Sequence, residues 1–249
     1  MNDRRDAGAT ALTLLFAPGQ RPDAAAVLRL AERQAENTAF SISHIPARDE
    51  GWVELLSFGL TFDLSGLAPL GQAPAPPPEH LFGLTRAVLD PRPEAIRLVP
   101  GPHLTSGRPM QPVLRVLAGI GAELARLPGV RSVGWEPARS WMAPAYYMSA
   151  IRAWLAGGAF PALGLTALTR SDDGAMTSEG LDRFCGCEVR VEALAGETSQ
   201  ATSKLAARII HRMVEGGEAA VAELADEAGR PLLIETRHQA GLTRIWRQG

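Results

Sequence analysis

Residues with distinctive chemistry are scarce in this sequence. Of its 249 residues only two are cysteines, Cys185 and Cys187, and the single lysine is Lys204. Two cysteines are too few for a disulfide scaffold, and so low a number is typical of a reducing compartment. We therefore expect a cytoplasmic protein. The excess of arginine over lysine, with abundant alanine, glycine and proline, is typical of a genome rich in G and C.

Long apolar stretches are also missing. A helix that crosses a bilayer needs roughly 20 apolar residues, whereas the stretch after Arg4 and Arg5, residues 11–17, is only seven residues long and contains Thr13. It runs into Pro18 and Gly19 without the small-residue cleavage site of a signal peptide. We interpret it as a buried first strand and expect no membrane partner.

The short motifs that usually reveal an activity are absent as well. The sequence has no glycine-rich phosphate loop with lysine, no Rossmann glycine triplet, no His-Glu-x-x-His and no Gly-x-Ser-x-Gly. We therefore expect no cofactor and no metal. With 25 basic and 27 acidic residues the formal charge is −2, which gives no reason to expect nucleic acid as a partner. A C-terminal basic cluster is interpreted as a solvated edge strand: Arg237, His238, Arg244, Trp246 and Arg247.

The first half of the chain has a regular succession of strand and helix patterns. Apolar periodicity and turn residues predict the elements. They are strand 9–17, a helix capped by Asp23, a hairpin of strands 40–44 and 52–64 divided at Asp49-Glu50-Gly51, an extended proline-rich connector at 71–80, strand 95–99 and helix 109–127.

The second half starts a similar cycle. It is predicted to contain strand 130–135, a helix opened by Pro144, strand 162–169, turn 171–174, strand 187–191, a helix capped by Thr198 or Ser199 and a hairpin within 231–246. Residues 218–230 receive no assignment. The order is that of a split βαβ unit. We predict an α+β protein of two ferredoxin-like halves in tandem, 1–128 and 129–249, with mainly antiparallel sheets and helices on one face.

The densest unusual segment lies between residues 135 and 148. Five of the fourteen aromatic residues fall between 135 and 154, both tyrosines among them. A loop with aromatic rings, a guanidinium and a helix N-terminus would suit an anionic or planar ligand. The candidate ligand-binding residues there are Trp135, Glu136, Arg139, Trp141 and Tyr146. Packing in the core is the alternative, and it is favoured for Tyr147, Met148 and Trp154, which share one helical stripe.

Two further features have a functional and a structural interpretation. His103 and Arg108 lie at the predicted start of the helix at 109–127, where they would bind an anion or merely be solvated beside a helix cap. Cys185 and Cys187 look like half a metal site. Positions i and i+2 of a strand place the two Cα atoms about 6.6 Å apart, which disfavours a disulfide, and we favour two buried thiols that act as small hydrophobes.

Residues 130–236 resemble a known family. The resemblance is carried by a tryptophan-containing strand, an aromatic helix, the strand pair within 164–181, the strand Cys185-Gly-Cys-Glu-Val-Arg-Val-Glu192 and a closing helix. This succession resembles the bacterial domain-of-unknown-function family 4261 (DUF4261). The resemblance implies a bacterial protein without an assigned activity, and it transfers no catalytic residue.

Two functional hypotheses remain open. The first is a non-enzymatic binding module whose cleft, lined by Trp135, Arg139 and Trp141, receives a small molecule or a protein segment, within one chain or in a homodimer. The second is a cofactor-independent hydrolase or transferase with acid–base residues drawn from Glu136, His103 and Glu54. An enzyme needs a concave site where a carboxylate or histidine meets another polar group, whereas a binding module needs an accessible aromatic and arginine surface.

Overall fold

The computed structural model describes residues 10–33, 40–46, 50–104, 110–237 and 241–248. The chain divides into two compact units, residues 1–158 and 159–249. The described residues form a mixed α+β protein with two mostly antiparallel sheets, of eight and five strands, and five α-helices. The predicted α+β class is confirmed. In the part of the chain that is described, no helix has both the length and the apolar character needed to cross a bilayer.

The first unit contains the eight-stranded sheet and three helices. Its elements are β1 (Leu12–Phe16), α1 (Ala24–Glu32), β2 (Ser41–His44), β3 (Trp52–Ser57), β4 (Leu60–Ser65), β5 (His80–Phe82), β6 (Glu94–Pro100), α2 (Gln111–Leu124), β7 (Val130–Trp135), β8 (Ser140–Met142) and α3 (Pro144–Leu155). The strand order is β2-β3-β4-β6-β1-β7-β8-β5, and only β5 and β8 pair in parallel. The predicted connector at 71–80 has no regular structure before β5, as expected.

Strand β1 lies in the middle of this sheet, which explains why all five of its residues are buried. Successive side chains of a strand point to opposite faces. Leu12 faces α2, since a β-carbon built on Gly121 would lie 2.6 Å from the Leu12 side chain. Helix α3 packs beside α2, and the Tyr147 hydroxyl donates a 3.0 Å hydrogen bond to the carbonyl of Ala118. The core of this unit therefore lies between the sheet and α2 with α3.

A tight turn joins β3 and β4 at Phe58 and Gly59. Both residues have positive φ, +50° and +77°, as a two-residue turn between twisted antiparallel strands requires. Glycine adopts this conformation freely, but phenylalanine does not, and the Phe58 side chain is 86% exposed. The single strand expected over 52–64 is therefore wrong, since the segment divides into β3 and β4. The sequence pattern does not reveal this turn because the usual Asn-Gly signal is missing.

The second unit contains the five-stranded sheet. Its elements are β9 (Ala167–Arg170), β10 (Met176–Glu179), α4 (Asp182–Cys185), β11 (Glu188–Val191), α5 (Ser199–Ala222), β12 (Leu232–Arg237) and β13 (Leu242–Arg247). The strand order is β12-β13-β11-β10-β9, with β11 and β13 parallel. Helix α5 packs on β9 to β12 and is capped by Thr198, whose side chain accepts from the Ala201 amide.

Residues 218–230 received no assignment from the sequence, and the first part of this segment, as far as Ala222, continues helix α5. Gly217 has φ +67° and ψ −159°, so the helix is kinked there, and it resumes as far as Ala222. A single bridge between Ala225 and Pro231 then leads into β12. The pair Gly216-Gly217 reads as a helix end because glycine commonly follows a C-terminus, but here it marks a bend.

The division between the units falls 30 residues after the boundary expected from the sequence. Strand β7 pairs with β1, Leu14 opposite Val133, and β8 pairs with β7 and β5. These strands, and α3 after them, belong to the first unit. The pairing of β1 with β7, whose partner residues lie 119 positions apart, outweighs the local succession of elements. Strands β9 and β10 are joined directly by the turn at Ser171–Gly174, without an intervening helix.

Candidate functional site

The candidate site lies where the β7–β8 hairpin meets the proline-rich connector. A 3-10 turn, Glu136–Ala138, links the two strands, and Arg139 ends it in a left-handed conformation with φ +47°. The carbonyl of Arg139 accepts hydrogen bonds from the amides of Glu79 and His80, at 2.9 and 3.1 Å. The connector is thereby fixed to the hairpin, and a cleft forms between them.

The cleft has a volume of about 70 Å³. It is lined by Thr13, Pro76, Pro77, Gly134, Trp135, Glu136, Arg139, Ser140 and Trp141. Four of the predicted site residues therefore lie together. An engineered cavity of roughly 150 Å³ holds benzene, and pockets for metabolites usually measure about 300–1,000 Å³. This cleft is large enough for one small side chain or a few water molecules, and too small for a typical metabolite.

The two tryptophans of the cleft have different surroundings. Trp141 is 7% exposed and packs with Leu15, Ala73 and Ala95, on the sheet face that the connector covers. A β-carbon built on Gly134 would lie 3.2 Å from Cδ1 of Trp141, so a larger residue there would press on the ring. Trp135 pairs with Leu12 and is fully buried. The stacking role expected for Trp135 is therefore not available to it.

Glu136 is held rigidly at the bottom of the cleft. Its carboxylate accepts hydrogen bonds from Nε and Nη2 of Arg97, at 2.8 and 2.9 Å, and from Oγ1 of Thr13 at 2.9 Å. Both charged side chains are less than one-fifth exposed. Such a bidentate pair combines charge with fixed geometry. We call Thr13, Glu136 and Trp141 the inner wall of the cleft.

The outer edge of the cleft is polar and accessible. Arg139 forms an ion pair with Glu79, and the two side chains are 49% and 53% exposed. An ion pair in that environment contributes roughly 0–1 kcal/mol. Pro76 and Pro77 lie beside it and are exposed. We call Arg139, Glu79, Pro76 and Pro77 the rim of the cleft.

The remaining predicted site residues do not line this cleft. Tyr146 lies on α3 and stacks on Phe82, with ring centroids 6.4 Å apart, and burial raises the pKa of its hydroxyl. His103 is exposed in the 3-10 turn Pro102–Leu104. Arg108 lies outside the described residues, and so do the residues expected to cap α2 beside it.

A second polar group lies on strands β3 and β4. Glu54 is directly opposite Asp63, and its Oε1 accepts a 2.7 Å hydrogen bond from the Ser43 hydroxyl. The pKa of Asp63 is raised by burial and then by the charge of Glu54, whereas His103 opposes the shift. Two of the acid–base candidates, Glu54 and His103, thus shift the pKa of the same carboxyl, that of Asp63. The third candidate, Glu136, is paired with Arg97. Sequence reasoning missed Asp63; the position of the turn at Phe58 would have placed it opposite Glu54.

The cysteine pair differs from its expected geometry. Cys185 ends α4 rather than lying in a strand, and Gly186 follows in a left-handed conformation with φ +84°. The two Sγ atoms are 4.0 Å apart, and both cysteines are free and partly exposed. The expectation of two buried thiols in one strand is therefore wrong: both cysteines are partly exposed, and both precede β11, which begins at Glu188.

The basic C-terminal residues are paired with acids. Arg237 lies 3.4 Å from Glu235, and Arg244 lies 2.6 Å from Glu192. Arg247 has a side chain only 3% exposed, which lies 2.6 Å from Glu197 and ties β13 to the start of α5. His238 lies outside the described residues. The expected edge strand is found for Arg237 on β12 but is wrong for Arg244, Trp246 and Arg247, since β13 pairs with both β12 and β11.

Comparison with family models, with curated proteins and with solved structures finds no match for this chain. The resemblance to domain-of-unknown-function family 4261 therefore rests on the residue pattern alone. What the site can do follows from its own geometry, which offers a fixed inner wall, an arginine at the rim and a volume suited to one side chain.

Proposed function

We propose that this chain is a non-enzymatic binding module whose cleft receives one side chain of an extended protein segment, with an acidic residue of that segment on Arg139. The observation that carries the proposal is the combination of a rigid inner wall with an exposed, exchangeable arginine at the rim. The partner class is an acidic protein segment. A small molecule is the alternative ligand.

The size of the cleft favours a side chain over a metabolite. A volume of about 70 Å³ is roughly half that of a cavity that holds benzene. The ring of Trp141 and the exposed prolines Pro76 and Pro77 provide apolar surface next to it. The proline rings restrict the backbone of Pro76 and Pro77, so this side of the cleft loses little conformational freedom on binding.

The charges favour an acidic partner. Glu79 holds Arg139 with an ion pair that is half exposed on both sides. When Arg139 leaves Glu79 and pairs with a carboxylate of the partner, one ion pair is exchanged for another. The net electrostatic cost of binding is therefore small. Glu136 does not compete for Arg139, since its carboxylate is engaged by Arg97 and Thr13.

A cofactor-independent hydrolase or transferase is the second candidate function. It is favoured by Asp63, whose raised pKa suits proton transfer and whose neighbours Glu54 and His103 are titratable. Its acid–base residues would be Glu54, Asp63 and His103. Glu136, which the sequence also suggested, would be a structural residue.

The broader assignments belong to the same proposal. We propose a bacterial, cytoplasmic member of domain-of-unknown-function family 4261 with ferredoxin-like ancestry. The parallel strands β11 and β13, with α5 between them in the chain, support a split βαβ unit in the second half. A homodimer would be formed most simply through β12, because it lies at the edge of the five-stranded sheet.

Binding to an immobilised library of hexapeptides tests this function. We expect the wild-type chain to retain peptides in which an acidic residue lies next to a small apolar one, and Arg139→Glu to lose that binding by more than tenfold. Arg131→Glu is the matched control, since Arg131 is an exposed arginine on β7 outside the cleft.

Two results would contradict the proposal. One is equal peptide binding by the wild-type chain and by Arg139→Glu. The other is a metabolite that raises the melting temperature of both by the same amount, since a ligand at 100 times its Kd adds about 2.7 kcal/mol of stability wherever it binds.

A further inference from the structure

The Cys185-Gly186-Cys187 turn has the geometry of a pair of thiols that react with each other. Helix α4 ends at Cys185, and the left-handed Gly186 reverses the chain so that the second thiol faces the first at 4.0 Å. A disulfide needs sulfur atoms about 2.05 Å apart, so the two sulfur atoms would have to approach each other by about 2 Å. Both cysteines are partly exposed, so small reagents have access to them.

The surroundings of the two thiols give them different roles. Cys187 Sγ lies 3.4 Å from the hydroxyl of Thr243 on β13. The hydrogen bond from Cys185 lowers the pKa of Cys187 to about 6, with help from Thr243 and against burial and the charges of Glu218 and Glu188. The pKa of Cys185 is raised, chiefly because its proton is held in the hydrogen bond to Cys187. Cys187 is thus the more acidic of the two thiols.

We propose that Cys185 and Cys187 form a thiol–disulfide exchange site for low-molecular-weight disulfides such as glutathione disulfide. The Cys187 thiolate attacks one sulfur of the disulfide, forms a mixed disulfide and releases one glutathione thiolate. Cys185 loses its proton to solvent and attacks Cys187 Sγ, which releases the second glutathione thiolate. The protein is oxidised by two electrons, and one glutathione disulfide is reduced to two glutathiones.

The ring formed in this reaction is small, which makes it easy to open again. Only Gly186 separates the two cysteines, so the disulfide would be strained, and strained or exposed disulfides are the labile ones. These are the only two cysteines in the sequence. Oxidation within one chain therefore has a single product, a bond from Cys185 to Cys187.

Intact-mass measurement tests the site without any substitution. The full chain is equilibrated with mixtures of reduced and oxidised glutathione at neutral pH. The reaction is then quenched with acid, and the mass of the intact chain is measured by mass spectrometry. We expect a reversible species lighter by two hydrogens, whose share rises with the oxidised fraction, and peptide mapping to locate the new bond at residues 185–187. A chain that stays fully reduced, or that accumulates only glutathione adducts, would overturn the proposal.

Single substitutions separate the roles of the two thiols. Cys185→Ser keeps a hydroxyl donor beside Cys187, so this variant should accumulate a glutathione adduct at Cys187. Cys187→Ser leaves only Cys185, whose pKa is still raised by burial and by the charge of Glu188. We expect the first variant to react with glutathione disulfide at pH 7 about tenfold faster than the second. Equal rates would refute the assignment of Cys187 as the attacking thiol.

Discussion

Glu136 of the inner wall is paired with Arg97, and Arg139 of the rim is paired with Glu79; the two arginine–glutamate pairs differ mainly in exposure. Arg97 and Glu136 are 17% and 18% exposed, whereas Arg139 and Glu79 are about half exposed. The inner pair makes two charge-assisted hydrogen bonds and receives a third from Thr13. The rim pair is surrounded by water, which screens it.

This difference separates structural residues from recognition residues within one cleft. Water competes with an exposed ion pair, so its partners exchange readily. A shielded pair that loses one member leaves a charge without solvent or partner. We therefore expect substitutions of the inner wall to change folding stability and substitutions of the rim to change binding.

The largest expected effect follows from Trp141→Ala. Removing this ring leaves a cavity against Leu15, Ala73 and Ala95, and we expect the free energy of unfolding to fall by about 3–5 kcal/mol. Urea unfolding followed by tryptophan fluorescence measures it, since three tryptophans of the first unit remain. Trp52→Ala, at a partly exposed position on β3, is the control and should cost less. A loss below about 1 kcal/mol would mean that the inner wall is not part of the core.

Arg97→Ala should have the next largest effect. It leaves the shielded carboxylate of Glu136 without its bidentate partner, which should cost about 2–3 kcal/mol in unfolding free energy. The double variant Arg97→Ala with Glu136→Ala should be more stable than the single variant, because no unpaired charge remains. If the double variant is less stable than Arg97→Ala, the loss in the single variant does not come from an unpaired Glu136 carboxylate.

Arg139→Ala and Glu79→Ala should leave stability within about 0.5 kcal/mol of the wild-type value, because their ion pair is exposed. Urea midpoints of the two variants check this expectation. Only Arg139→Ala should also weaken binding to acidic peptides. A stability loss comparable to that of Arg97→Ala would remove the distinction between rim and inner wall.

The smallest expected effect concerns a carboxyl that faces another acid. The pKa of Asp63 is raised by burial and by Glu54, so the folded state binds its proton more tightly than the unfolded state does. The stability linked to this proton is fully present below the ordinary pKa of 3.8 and is lost as pH rises through the higher folded value. Asp63→Asn should therefore stabilise the chain at pH 7, by less than about 0.5 kcal/mol because the side chain is only partly buried and solvent weakens its interactions, and not at pH 3. Melting temperatures at the two pH values test the sign.

The strands and helices of this chain could be predicted where the pattern is local. Three patterns each predict their element from no more than about 15 residues. They are the apolar run of β1, the Asp23 cap of α1 and the periodic stripe of α2. The grouping of elements into units could not be predicted in this way. It depends on β7 pairing with β1, and nothing within β7 specifies a partner so far away.

The candidate site was predictable in composition but not in arrangement. The aromatic and arginine content of residues 135–141 pointed to the right segment, and four of its residues line one cleft. Which of them are accessible depends on the connector, since Ala73 packs against Trp141 from 68 positions away. Trp135 and Trp141 look alike in the sequence, and only the strand register and the connector distinguish them.

The central position of β1 also has a consequence for the way the chain is made. Leu12 pairs with Leu98 on one side and Trp135 on the other, so β1 leaves the ribosome long before either partner exists. At about 5–20 residues per second, the wait for β6 is on the order of ten seconds. During that time an apolar strand has no sheet to join, and contacts of this separation also slow folding itself. The yield of folded protein therefore depends on what shields Leu12–Phe16 during synthesis.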